Sequence, residues 1–99
     1  QAMGHHLAGR VAAVVGTHTH VPTLDAKLLP GGTAYVSDIG MTGPYDGVIG
    51  MKKEASLGRF LKVIRPKYEV AESDLQLHAV LVTTEGRKAT GIERILRRL

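Results

Sequence analysis

Two histidines one residue apart, His18 and His20, directly follow the unbroken apolar run Val11-Ala12-Ala13-Val14-Val15. Imidazole is the commonest side-chain metal ligand. In open α/β sheets, ligands gather at the carboxyl ends of strands. In an extended segment, residues i and i+2 point to the same side. His18 and His20 would then face one pocket while Thr19 points away. Their nitrogens can share one ion, or each can take one ion of a pair set roughly 3.5–4 Å apart. The motif is short and the chain has five histidines, so spacing alone leaves open a metal site or two unrelated side chains.

Other polar residues are weighed the same way. Asp38, at the end of a second apolar segment, suits a metal ligand, an acceptor for a metal-bound imidazole, or the cap of a turn. The stretch Gly40-Met41-Thr42-Gly43-Pro44-Tyr45-Asp46-Gly47 has the glycine density of a loop with special backbone angles that approaches something closely. His5 and His6 are neighbours on a predicted helix and do not share a face, so they read as a surface pair. His78 lies in a predicted strand and reads as a half-exposed strand residue.

These side chains need elements to hold them. The apolar run 11–15 predicts a strand buried on both faces. Residues 1–7 predict a helix tail closed by Gly9. Pro22 forces an extended exit from the histidine turn, residues 24–29 are too short to classify, and Pro30-Gly31-Gly32 marks a turn. Residues 33–39 predict a second strand, 51–61 a short helix weakened by Gly58, 68–70 a short strand and 71–74 a polar turn. Residues 75–83 predict the clearest strand, with Leu75, Leu77, Ala79 and Leu81 on one face and Gln76, His78 and Val80 on the other. A turn over 84–88 returns the chain as a partner strand over 89–96, and residues 97–99 are expected to fray.

Ninety-nine residues are enough for one modest core. There is no cysteine, which excludes disulfides and thiolate metal sites and leaves nitrogen and oxygen ligands. No run is long and apolar enough for a membrane span and no secretory signal pattern is visible, so a cytoplasmic, non-membrane protein is expected. Thirteen basic and nine acidic side chains give a net charge of +4. No aromatic platform accompanies them, which favours a solvated basic face over a nucleic-acid surface.

The segments Gly16-Thr17-His18-Thr19-His20-Val21-Pro22-Thr23 and Gly32-Thr33-Ala34-Tyr35-Val36-Ser37-Asp38-Ile39-Gly40-Met41-Thr42-Gly43-Pro44-Tyr45-Asp46 resemble the closing motifs of the YmdB-like metallophosphoesterases, calcineurin-like enzymes acting on cyclic nucleotides. Val48-Ile49-Gly50-Met51-Lys52-Lys53 and the last hairpin continue the resemblance over essentially the whole chain. It implies an α/β fold: the C-terminal part of a two-sheet sandwich flanked by helices. Residues 1–99 would form the C-terminal portion of a single metallophosphoesterase domain whose N-terminal portion is absent from this chain.

The resemblance further implies two divalent transition-metal ions, iron or manganese. His18 would bind one and His20 the other, with the remaining ligands and the general acid upstream. Thr17, Asp38, Gly40, Met41, Thr42 and Gly43 would line the pocket or support the ligands, and no catalytic residue falls in this chain. The implied partners are a cyclic nucleotide or other phosphodiester and the missing N-terminal half. A bare apolar strand edge adds the expectation of a homo-oligomer. The other function these residues allow is a small basic α/β binding module without catalytic activity. By itself the chain is expected to be inactive and not independently stable.

Overall fold

The computed structural model describes residues 1–62 and 65–99. Two three-stranded sheets and short helices form a mixed α/β architecture. The first sheet has the order β1 (Ala13–Val15), β3 (Thr33–Val36), β2 (Lys27–Leu29). β1 runs parallel to β3, with Val15 opposite Val36, and β2 runs antiparallel to it, with Leu29 opposite Thr33. The second sheet has the order β4 (Gly43–Pro44), β5 (Leu75–Glu85), β6 (Lys88–Arg98), all antiparallel.

β3 is central and every one of its residues is buried. Its neighbours on both sides follow from the turns. Gly31 and Gly32 adopt left-handed angles and reverse the chain from β2 into β3, as Pro30-Gly31-Gly32 predicts. Helix α1 (Ala2–Leu7) lies over the ring of Tyr35, where a side chain on Gly4 would come within 2.6 Å of the ring. Gly9, at φ 78°, follows the helix end as expected and donates its N–H to Thr33 Oγ1 at 2.8 Å.

β6 packs across β3 and β2. Ala89 N–H donates to Gly32 C=O at 2.8 Å, and Arg94 Nη1 donates to Thr23 C=O at 3.0 Å. A cavity of about 80 Å³ remains between the sheets, lined by Val36, Ile39, His78, Val80 and Leu96 among others. Among the described residues no helix is long and apolar enough to cross a membrane.

Several expectations are corrected. Within this chain the run 11–15 is not buried on both faces: Val11 and Val15 are exposed where residues 1–99 supply no cover, and residues 13–15 alone form strand. Among the described residues β1 has one strand neighbour, β3, which leaves its other edge unpaired there. The strand expected over 33–39 ends at Val36, because Ser37 and Asp38 turn away to bond Asp25 and Thr23. The helix expected over 51–61 is α2 (Lys53–Lys62), and Ala55 is its one buried residue among those described. Residues 68–70 form only an isolated bridge between Val70 and Met51.

In β5 the two faces alternate as expected, and the polar one lies inward. Leu75, Leu77 and Leu81 are exposed, while Gln76 and His78 are buried. His78 is therefore not a half-exposed residue; it is 9% exposed. Its burial is tolerated because the polar groups satisfy one another: His78 Nε2–H donates to Gln76 Oε1 at 2.8 Å, and Gln76 Nε2 donates to Asp74 Oδ2 at 2.7 Å. The end of β6 does not fray by its hydrogen bonding, since Arg98 pairs with Gln76 and Leu99 N–H reaches Leu75 C=O at 3.0 Å.

Candidate metal centre

The histidine turn is built by backbone, and Gly16 comes first. It leaves β1 with its N–H on Val36 C=O and its C=O accepting from Ile39 N–H, both at 3.0 Å. A Cβ at this position would run into the Ser37 carbonyl oxygen. Only glycine lets the two chain segments approach this closely.

Asp38 then gathers the turn. Its Oδ2 accepts from the backbone N–H of His18 at 3.0 Å, from that of Thr19 at 2.7 Å and from the Thr19 hydroxyl at 2.8 Å. Its Oδ1 accepts from Gly40 N–H at 2.8 Å. Asp38 as a whole is 4% exposed. Burial raises its pKa, but the donors from Gly40, Thr19 and His18 outweigh that and hold it below the usual carboxylate value. Asp38 thus clamps the histidine turn and the following glycine loop together through one side chain.

A second carboxylate reinforces the frame. Asp25 accepts hydrogen bonds from the Ser37 hydroxyl and N–H and, at 2.6 Å, from the Thr23 hydroxyl. Those hydroxyls, Ser37 foremost, lower its pKa to about 2.

Within the turn, His18 is exposed and His20 half-buried. The segment is not extended: residues 18–20 bend and His20 sits at φ 64°, so alternation along a strand is not what directs the two rings. His20 Nδ1 lies 3.1 Å from the backbone carbonyl of Ile49. A ring that donates Nδ1–H to a carbonyl is fixed in the tautomer that leaves Nε2 with a free lone pair. This is the usual way a ligating histidine is oriented, and it fits an imidazole donor for a divalent transition ion. Two imidazoles do not complete a coordination sphere, and no group of three or more His, Asp or Glu able to hold an ion occurs among the described residues.

The remaining expected residues divide. Gly40, at φ 80°, packs so closely that a Cβ would lie 2.8 Å from Tyr45 Oη. Met41 is gripped by Tyr45, whose hydroxyl accepts from Met41 N–H and donates to Met41 C=O, both at 3.0 Å. Thr42 Oγ1 lies 3.4 Å from His78 C=O, and Gly43 pairs with Gln76 in the second sheet. Thr17 is exposed, directly before the histidines, and makes no side-chain hydrogen bond among the described residues. His5 and His6 lie on α1, with His6 Nε2 3.4 Å from Arg10.

Three contributors were not legible beforehand. Ile49 acts through its carbonyl, which no residue type announces. Tyr45 acts through a hydroxyl that closes on a residue four positions back. Thr19, read as pointing away, is the main partner of Asp38. A threonine between two histidines, with an aspartate after the next buried strand, is the one signal that pointed there.

Two small sheets, few helices and a histidine turn at a strand end make a mixed α/β fold, and that fold recurs in a phosphatase. A crystal structure of a novel phosphatase from Mycoplasma pneumoniae superimposes with a TM-score of 0.92 at 35% identity, covering 98% of this chain and 36% of that one. A hypothetical protein from Thermus thermophilus gives 0.93 at 43% identity, covering 98% and 38%. A 2',3'-cyclic-nucleotide 2'-phosphodiesterase of Bacillus subtilis (strain 168) is 48% identical over 97 residues, which make up 96% of this chain and 37% of that protein. The model of the YmdB-like protein family matches residues 1–95, and the chain belongs to that family. The chain thus spans well under half the length of these relatives.

Proposed function

We propose that this chain is the part of a metal-dependent phosphodiesterase that supplies two histidine ligands, His18 and His20, and one wall of the phosphate pocket. The substrate class is a nucleoside cyclic phosphate, in keeping with the name of the Bacillus subtilis relative. The observation that carries the reading is the His20 Nδ1 contact with Ile49 C=O, in a turn held by the buried Asp38.

Two divalent transition ions, iron or manganese, would be held by His18 and His20 together with ligands from outside this chain. When bound, such a pair polarises phosphoryl oxygens and makes water nucleophilic at neutral pH. The chain's own residues orient. Asp38 fixes the backbone on which both imidazoles stand, and Ile49 C=O holds the His20 tautomer. The loop 40–47, gripped by Tyr45, borders the phosphate. General acid chemistry is assigned to no residue here. Against the basic-module alternative, two of the mid-chain cations are engaged in ion pairs, Lys52 with Glu69 at 2.6 Å and Lys53 with Asp46.

The test is metal analysis and hydrolysis of a nucleoside 2',3'-cyclic phosphate by the full gene product containing residues 1–99. His18→Ala and His20→Ala each lose bound metal and turnover, whereas His5→Ala and His6→Ala retain both. Full metal content in the His18→Ala/His20→Ala double variant sinks the proposal.

A further inference from the structure

Helix α2 turns its larger apolar side chains outward. Phe60 is 83% exposed. Beside it, a cavity of about 560 Å³ is lined by Ile49, Met51, Ser56, Arg59, Phe60 and Tyr68. Arg59 crosses this cavity wall: Nη1 donates to Tyr68 Oη at 2.7 Å, and the guanidinium lies 6.0 Å from the Tyr68 ring centroid. Two aromatic rings, a guanidinium plane and one small hydroxyl therefore line a single open cleft. Flat heteroaromatic ligands are bound this way, by stacking on ring faces, with polar groups at the edge.

The cleft is joined to the histidine turn by one residue. Ile49 lines it, and the Ile49 carbonyl is the group that His20 Nδ1 contacts at 3.1 Å. Ile49 has the left-handed angle φ 49°, so its backbone faces the turn while the residue itself forms part of the cleft. In a nucleoside 2',3'-cyclic phosphate the base leaves the ribose at C1', apart from the phosphate on the 2' and 3' oxygens. With the phosphate held at metals, the base projects toward a neighbouring, separate surface.

We propose that the cleft between Phe60 and Tyr68 is the base-binding subsite for the nucleoside cyclic phosphate, with Phe60 the stacking face and Arg59 and Ser56 at the base edge. The proposal rests on the phosphodiesterase reading above and adds the place where the base is recognised. Within residues 1–99 Phe60 is exposed and supports no other described element, and comparing two substrates on one variant separates recognition from folding.

The experiment compares adenosine 2',3'-cyclic phosphate with the 2',3'-cyclic phosphate of methyl riboside, which lacks a base. Both are given to the full gene product with its metals bound. In Phe60→Ala the ratio of kcat/KM for the two substrates falls about tenfold, mainly through KM for the nucleotide, as expected for one lost stacking face. Phe60→Trp keeps an aromatic face and restores the ratio. Adenosine binding, measured by equilibrium dialysis, weakens by a similar factor in Phe60→Ala. An unchanged ratio, or an equal loss for both substrates, overturns the subsite. A wild-type protein that hydrolyses neither compound overturns the phosphodiesterase reading, and the subsite with it.

Discussion

The imidazole of His78 lies over the ring of Tyr45, with centroids 4.7 Å apart and planes tilted by 32°. Through this stack the second sheet reaches the pocket loop. Tyr45 holds Met41 by both its N–H and its C=O, and His78 is itself held by Gln76 and, beyond it, Asp74. Removing the hydroxyl in Tyr45→Phe should cost about 1–2 kcal/mol, the usual range for lost hydrogen bonds of this kind. It should lower turnover while leaving the metal content intact. His78→Ala should cost about 2–4 kcal/mol through the cavity and the stranded Gln76, also without metal loss. Thermal unfolding and metal analysis of the two variants decide this, and metal loss in His78→Ala would contradict it.

Asp38 is placed to position the turn. In Asp38→Asn one acceptor oxygen becomes an NH2 group facing backbone N–H donors. We expect a loss of about 2–4 kcal/mol, as for a buried, charge-assisted network left partly unsatisfied. We also expect weaker metal binding with His18 and His20 still coordinated. Metal titration with a spectroscopic reading of the bound histidines would expose a direct ligand role if it found one ligand fewer.

The pH dependence should have two steps, both losses on acidification. His78 has a pKa lowered from 6.5 by burial and by Arg94 and Arg98. The unfolded chain therefore binds that proton first, and stability declines as pH falls below about 6.5. Asp25, lowered from 3.8 to about 2, contributes stability above the unfolded value that is lost between about pH 4 and pH 2. After a discount for solvent screening, the Asp25 contribution is about 1–2 kcal/mol. Denaturant titrations across pH should show the lower step shrinking in Asp25→Asn and the upper one vanishing in His78→Gln. A flat profile would refute both assignments.

Gly16 is the tightest point of the site. Gly16→Ala pushes a methyl into the Ser37 carbonyl and separates the two chain segments that carry His18 and Asp38. A cost of at least about 2–3 kcal/mol is expected, since backbone cannot yield as a side chain does. Gly58→Ala, which meets nothing within 4 Å, should be neutral or slightly stabilising for an exposed helix position. The urea midpoints of the two variants should differ accordingly, and equal midpoints would refute the argument.

Much of the frame was legible because it depends on local chemistry. Pro30-Gly31-Gly32 and Gly86 reverse the chain where their backbone freedom requires it. The long hairpin also announces itself by length, although its turn is tighter than expected and holds only residues 86 and 87. What failed was what alternation cannot express. A two-residue period shows that Leu75 and Gln76 face opposite ways but not which side meets the first sheet. The buried side carries the His78–Gln76–Asp74 chain, whose members satisfy one another only in three dimensions. β2 and β4 are too short to display any period. At the site, the histidine pair stood out by residue type, while the left-handed His20 and the carbonyl of Ile49 belong to backbone geometry, which side-chain spacing does not encode.

The hairpin of β5 and β6 has a kinetic consequence. Its strands meet across two residues, so closing it costs little chain entropy, and hairpins of this kind form within about 1–10 μs. The parallel pairing of β1 with β3 must instead close over residues 16–32 before any bond repays it, which makes it the slower event. Arg94 and Ala89 of the hairpin bond Thr23 and Gly32, both within that closing segment. We predict that pulsed hydrogen exchange during refolding of the full gene product protects amides of residues 75–98 before those of 13–15 and 33–36, and the reverse order would refute it. On this order the chain raises an inert ribbon first, and its histidine turn is the last part to become a place where chemistry can occur.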